Sequence, residues 1–277
     1  MLTIVLAVLA AALAWSGIYW GTEGQHWVWA AFGALGGFVA VSLPINLWVR
    51  KRMEAIFGGI QNFLVSSQDA LRHKVGALQM KFSNQQKLLE MVEKEQAESV
   101  RKALDMLEAV KPLNKWNILA EKQANTLRAQ LLYQIKDFEE ADKYLDKCFI
   151  MDPLLQAMRM ARMFKKGQFK ELEKAYHKGV GRFKYDKALL IYATYSWALV
   201  QQNKIDEAIA VLNEGKEKAE NNVLKQNWEH LVNGRVKRFS NAGLGETWYA
   251  LQLEPMPAVR PQAQMQFGGR PNRGGFR

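Results

Sequence analysis

The sequence predicts an all-α, membrane-attached protein: an N-terminal transmembrane helical hairpin, a long amphipathic helix of coiled-coil character, and an α-solenoid of stacked helical repeats. Three observations predict it. The first 49 residues are almost free of charge, a run of helix formers without proline follows, and an internal periodicity occupies the second half of the chain.

Of the 277 residues, 38 are Lys or Arg and 27 are Asp or Glu, a formal net charge of +11. Residues 1–49 contain no Lys or Arg and a single acid, Glu23, whereas an ordinary globular chain is about a quarter charged. Subtracting the −1 of that stretch from the +11 of the whole leaves +12 on the remainder. A basic soluble part suits anionic lipid headgroups or an acidic partner, whether RNA or peptide. The single cysteine, Cys148, excludes an intrachain disulfide. His26, His73, His177 and His230 lack metal-ligand spacing, so neither a metal nor another cofactor is expected.

The hairpin is expected over residues 1–50. Leu2 to Trp20 and Trp27 to Val49 carry no charge, and at about 1.5 Å per residue each reaches across a bilayer core. Pro44 is tolerable in a membrane helix, where neighbouring groups satisfy the freed carbonyl. The polar stretch Gly21 to His26 is the turn. Trp20 and Trp27 flank it, and Trp48 stands at the opposite end before Arg50, Lys51 and Arg52. These six are the expected membrane-interface residues, and the basic run marks the cytoplasmic side. The chain thus reads as an integral membrane protein, of bacterial inner-membrane type, with its C-terminal domain cytoplasmic. Ala12-Leu13-Ala14 also resembles a signal-peptidase site, although no positive n-region precedes it; cleaved or retained, the second span keeps the same orientation. Gly33 and Gly37, with Ala10 and Ala14, allow close helix approach, either inside the hairpin or in a homo-oligomer.

Residues 51–116 read as a helical arm. After a weak point at Gly58-Gly59, helix formers run to Val110, and Pro112 ends the helix. Leu64, Leu71 and Leu78, with Val75, Phe82 and Leu89, form two heptad-spaced rows that open an apolar seam. Gln68, Gln85, Gln96 and Ser99 fall on the same stripe, and both a coiled-coil dimer and a helix packed on its own domain remain open.

Residues 117–255 carry the periodicity. Leu127 to Tyr133 leads through Lys136-Asp137-Phe138-Glu139-Glu140-Ala141 to Leu145, Cys148 and Asp152-Pro153. A second copy has Ala161 and Phe164, then Gly167-Gln168-Phe169, Leu172, Tyr176 and Gly179, with a turn that reads one residue shorter. A third has Tyr192, Tyr195 and Ser196, then Asn203 to Ala208, Leu212 and Gly215. This order of small, aromatic and turn residues resembles the tetratricopeptide repeat. One helical hairpin cannot bury its apolar face alone, so the copies are expected to stack. Cys148 is expected in the core, and Val223 to Leu253 reads as a degenerate helix pair capping the stack.

The resemblance implies binding of a protein or peptide in a groove lined by the first helix of each pair. The groove positions are Gln130 and Gln134 in the first copy, Arg162, Lys165 and Lys166 in the second, and Trp197 and Gln201 in the third. Three cations beside an aromatic suit an acidic peptide or a terminal carboxylate; the same cations also suit a solvated helix end. The family's carboxylate-clamp pattern of Lys and Asn is not reproduced. Residues 256–277, rich in Pro, Gln and Gly with no acid, read as a disordered basic tail. Its Arg270, Arg273 and Arg277 resemble an arginine-glycine nucleic-acid-binding segment, and a solubilising or membrane-touching tail is the alternative. No phosphate loop, nucleophile elbow or paired carboxylates point to an enzyme. The expected function is a membrane-anchored adaptor in the assembly of a membrane or envelope complex, the alternative an RNA or ribosome binder at the membrane.

Overall fold

The computed structural model describes residues 2–21, 27–79, 85–148 and 150–255. Among them there are eleven α-helices, four 3-10 segments and no strand.

Helix α1 (Leu2–Gly21) and helix α2 (Trp27–Gln79) are both long and apolar enough to cross a membrane. They run antiparallel, because Gly33 lies beside Ile18 while Gly37 lies beside Ala10 and Ala14. The small-residue stripe is therefore used inside the hairpin. A Cβ on Gly37 would stand 2.9 Å from the Ala10 carbonyl oxygen and 3.2 Å from the Ala14 methyl, whereas one on Gly36 would meet open space. Gly37→Leu is accordingly expected to cost about 1–3 kcal/mol by forcing the helices apart, and Gly36→Leu little. Thermal unfolding of the two full-length variants in detergent checks the contrast.

Helix α2 carries Pro44 and continues without a break through Gly58-Gly59, so the expected weak point is not one. The arm is also not one helix. The chain ends α2 at Gln79 and forms α3 (Gln85–Met106), which returns antiparallel along it: Gly59 faces the Met106 methyl, and Lys74 pairs with Glu95. Leu64, Gln68 and Leu71 of α2 meet Gln96, Ser99 and Val100 of α3. Gln68 of the heptad stripe thus meets Gln96 and Ser99 within one chain, and Leu89, assigned to the seam, is exposed. Phe82 lies outside the described residues. Pro112 does not end the α-helix directly; it sits inside the 3-10 segment Leu107–Lys115 that follows α3, since proline lacks the N–H that an α-helix needs and disfavours α geometry before it. Val49, Met53 and Ile60 of α2, Ala103 of α3 and Leu107 of the 3-10 segment are buried in one core.

Three helix hairpins follow: α4 (Ile118–Gln134) with α5 (Phe138–Leu145), α6 (Pro153–Lys165) with α7 (Phe169–Arg182), and α8 (Leu189–Gln201) with α9 (Ile205–Ala219). Their turns are alike. Lys136, Gly167 and Asn203 adopt φ of 61°, 70° and 60°, and the next residue's N–H returns to a carbonyl of the preceding helix (Asp137 to Leu132, Gln168 to Met163, Lys204 to Leu199; 2.9–3.0 Å). This is the left-handed helix stop with its 6→1 hydrogen bond. Each connection has the same length, so the expected shorter second turn is absent. Starts are also encoded: the side chains of Asn117, Asp137 and Asp152 cap α4, α5 and α6 by accepting backbone N–H groups. Ala141, Leu172 and Ala208 occupy matching buried positions in α5, α7 and α9. Gly215 lets α9 approach Tyr192, where a Cβ would stand 2.9 Å from the ring.

The C-terminal helix pair is unequal. Helix α10 (Asn222–Val232) stops at Gly234, and the chain continues through 3-10 turns and the single-turn α11 (Glu246–Tyr249). Gly245, with φ +66°, opens α11. Instead of closing the end of the stack, this segment returns across the first helices of the hairpins.

Candidate functional site

The first helices of the three hairpins supply Tyr133, Phe164 and Trp197 to one aromatic surface: Phe164 meets Trp197 edge-on at 5.1 Å. Residues 241–254 cover it. The Trp248 ring packs against Trp197 at 6.1 Å, and both indoles donate to one carboxylate, Trp197 Nε1 to Glu254 Oε1 at 2.6 Å and Trp248 Nε1 to Glu254 Oε2 at 2.8 Å. The Tyr133 hydroxyl donates to the Leu251 carbonyl at 2.6 Å, and Asn241 Nδ2 donates to the Ala193 carbonyl at 3.0 Å. Trp248 and Leu251 are completely buried there. An aromatic surface with an acid seated on it is thus present, and the acid belongs to the chain itself.

The groove cations are engaged too. Arg162 makes two hydrogen bonds to Asp142 of α5, 3.0 and 2.8 Å, and Lys166 reaches the same carboxylate at 2.9 Å. The Arg162 guanidinium also lies 4.5 Å over Phe138. Burial alone would raise the Asp142 carboxyl; the hydrogen bonds and charges of Arg162 and Lys166 together outweigh it and hold the group below the usual carboxylate range. The triad ties the first hairpin to the second. Lys165 and Gln201 are exposed. Gln130 and Gln134 face elsewhere: Gln134 borders the contact of α2 with α3, and Gln130 lines a cleft of about 440 Å³ between α2 and α4, whose apolar floor includes Phe57, Ile60, Leu64 and Leu127. The seven residues therefore do not line one open groove, because the arm covers one end and the C-terminal segment covers the other.

Cys148 is half-buried and donates to the Tyr144 carbonyl at 3.2 Å, and burial pushes its thiol up to about 11, which leaves it protonated and unreactive at neutral pH. Among the described residues no group of His, Cys, Asp and Glu could hold a metal. Trp20 and Trp27 lie exposed at one end of the α1–α2 hairpin, and Trp48, Arg50, Lys51 and Arg52 at the other. Arg270, Arg273 and Arg277 lie outside the described residues. Sequence reasoning missed Asp142, Trp248 and Glu254 as partners of the groove residues. Compared with protein-family models, with curated proteins and with solved structures, the chain matches none.

Proposed function

We propose that the protein is a membrane-anchored scaffold in which α1 and α2 span the bilayer and a tetratricopeptide-like stack of helical hairpins is held at its cytoplasmic face to bind another protein. The observation that carries this reading is the distribution of exposed apolar side chains. Among the described residues, 19 of the 28 large ones that are exposed lie between Leu2 and Trp48, an apolar surface that a water-soluble fold would bury and a bilayer would cover. The basic run at residues 50–52 follows at once.

The mounting is rigid. Because α2 passes uninterrupted from the apolar stretch into the core with α3, and Thr3 Oγ1 donates to the Trp116 carbonyl at 2.7 Å, the domain is fixed against the hairpin without a flexible linker. These contacts also favour a retained first helix over a cleaved one. With the aromatic surface covered by residues 241–254, the open surface best suited to a partner is the α2–α4 cleft, apolar within and rimmed by amides such as Gln61, Gln68, Gln123 and Gln130. Such a rim fits an amphipathic protein segment rather than a charged one.

Two measurements test the proposal. The full-length protein is expected to stay in the membrane pellet at alkaline pH and to be released only by detergent; recovery in the alkaline supernatant refutes the anchor. A photo-crosslinking side chain at Gln130 is expected to attach one discrete protein in native membranes, while the same group at Glu217, on the exposed face of α9, does not. Equal labelling at both positions refutes the cleft.

A further inference from the structure

We propose that the protein holds an anionic phospholipid at the cytoplasmic boundary of the hairpin, its acyl chain in a notch beside Pro44 and its phosphate at Arg52. This rests on the reading that α1 and α2 lie in the bilayer.

The notch has a volume of about 390 Å³ and is lined by Pro44, Ile45, Trp48 and Trp116. No charged side chain, hydroxyl or amide lines it, and the polar groups of its lining side chains are two indole N–H donors with no acceptor, so its wall is almost wholly apolar and holds water poorly. Trp116 is brought there from the soluble domain: it closes edge-on against Trp48 at 6.2 Å and 75°, and the Thr3 hydroxyl holds its carbonyl. Three separate parts of the chain thus meet at one level, the start of α1, the last apolar turns of α2 and the connection into α4. An isolated membrane helix has no such recess.

Charge selects the headgroup. Ile45, Trp48 and Arg52 follow at i, i+3 and i+7 on α2, one helix face, and Arg52 stands about 10 Å nearer the cytoplasm than Ile45. That is the offset between the upper part of an acyl chain and its phosphate. The Arg52 guanidinium lies 5.9 Å over the Trp48 ring. Arg50 is committed to Glu54 at 2.7 Å, but among the described residues neither Lys51 nor Arg52 forms an ion pair. After Glu23 the first acid in the chain is Glu54, so no carboxylate in the span competes for them. An unpaired guanidinium above an apolar notch is complementary to a phosphodiester above a hydrocarbon chain, and lipid from the surrounding bilayer is the source.

Native mass spectrometry of the full-length protein in mild detergent, with phosphatidylglycerol and phosphatidylcholine of identical chains, tests this. The wild type is expected to retain phosphatidylglycerol preferentially. Arg52→Gln is expected to reduce that retention about fivefold, while Lys94→Gln, which removes the same charge from an exposed site on α3, leaves it unchanged. Arg52 is exposed, so the variant keeps the fold, which circular dichroism verifies. Equal retention of the two lipids, an Arg52→Gln variant that behaves as wild type, or an equal loss in Lys94→Gln overturns the site. Failure of the anchor is seen separately as alkaline extraction of the wild type; a protein that resists extraction but shows no lipid preference refutes the lipid site alone.

Discussion

Replacing Trp248 with alanine is expected to lower the unfolding free energy by about 3–5 kcal/mol, the range for a fully buried large aromatic. Helix α11 has four residues, too few to be stable through its own hydrogen bonds, so the segment is held by what it touches. Trp248 is its central contact. The ring is inaccessible to solvent, packs on Trp197 and shares the Glu254 carboxylate with it. Truncation leaves a cavity beside Trp197 and removes one of two donors from the acid. Trp248→Phe, which keeps one aromatic ring but loses the second ring and the N–H, is expected to cost less, about 2–3 kcal/mol, from a smaller cavity and the lost hydrogen bond to Glu254. Chemical denaturation of the full-length protein in detergent separates the two. A Trp248→Ala loss below about 1 kcal/mol, the level of an ordinary surface change, would mean that the segment is not seated on the aromatic surface.

The sequence makes parts of this architecture legible because they depend on local chemistry. The long apolar stretches define α1 and the first half of α2 by composition, and the Lys136-Asp137, Gly167-Gln168 and Asn203-Lys204 turns announce the helix hairpins by their stop and start residues. What was illegible depends on long-range choice. A heptad seam has the same pattern whether its partner is another copy or the returning helix of the same hairpin, so Leu64 and Leu71 could not disclose that α3 folds back on α2. The groove positions disperse for a related reason. Arg162 and Asp142 are 20 residues apart, and only the stacking of one helix pair on the next brings them together. Trp248, Leu251 and Leu253 have an apolar spacing compatible with a terminal helix; the signals against it were Gly243, Gly245 and Pro255, which crowd that stretch with helix breakers.

Asp142→Ala is expected to cost about 1–3 kcal/mol at neutral pH. Breaking a buried pair costs roughly 3–5 kcal/mol, and the discount reflects residual solvent: the side chains of Asp142 and Arg162 keep 14% and 17% of their exposure, and Lys166 keeps 44%. Arg162 also retains its place over Phe138. The acid dependence has a definite sign. Since the native carboxyl lies below its ordinary value, the unfolded chain takes up the proton first; the stabilisation is complete above the usual carboxylate range and is lost as pH falls through the native value. The gap in stability between wild type and variant should therefore hold at neutral pH and close progressively in acid, as denaturation at a series of pH values would read. Lys165→Glu, on an exposed side chain with no ion pair among the described residues, is expected to change stability by no more than about 0.5 kcal/mol. That contrast matters for any test of partner binding. Reversing Arg162 or Lys166 dismantles a junction between helix pairs, so lost capture would report damage to the stack, whereas Lys165 alone probes the surface charge while leaving the junction intact.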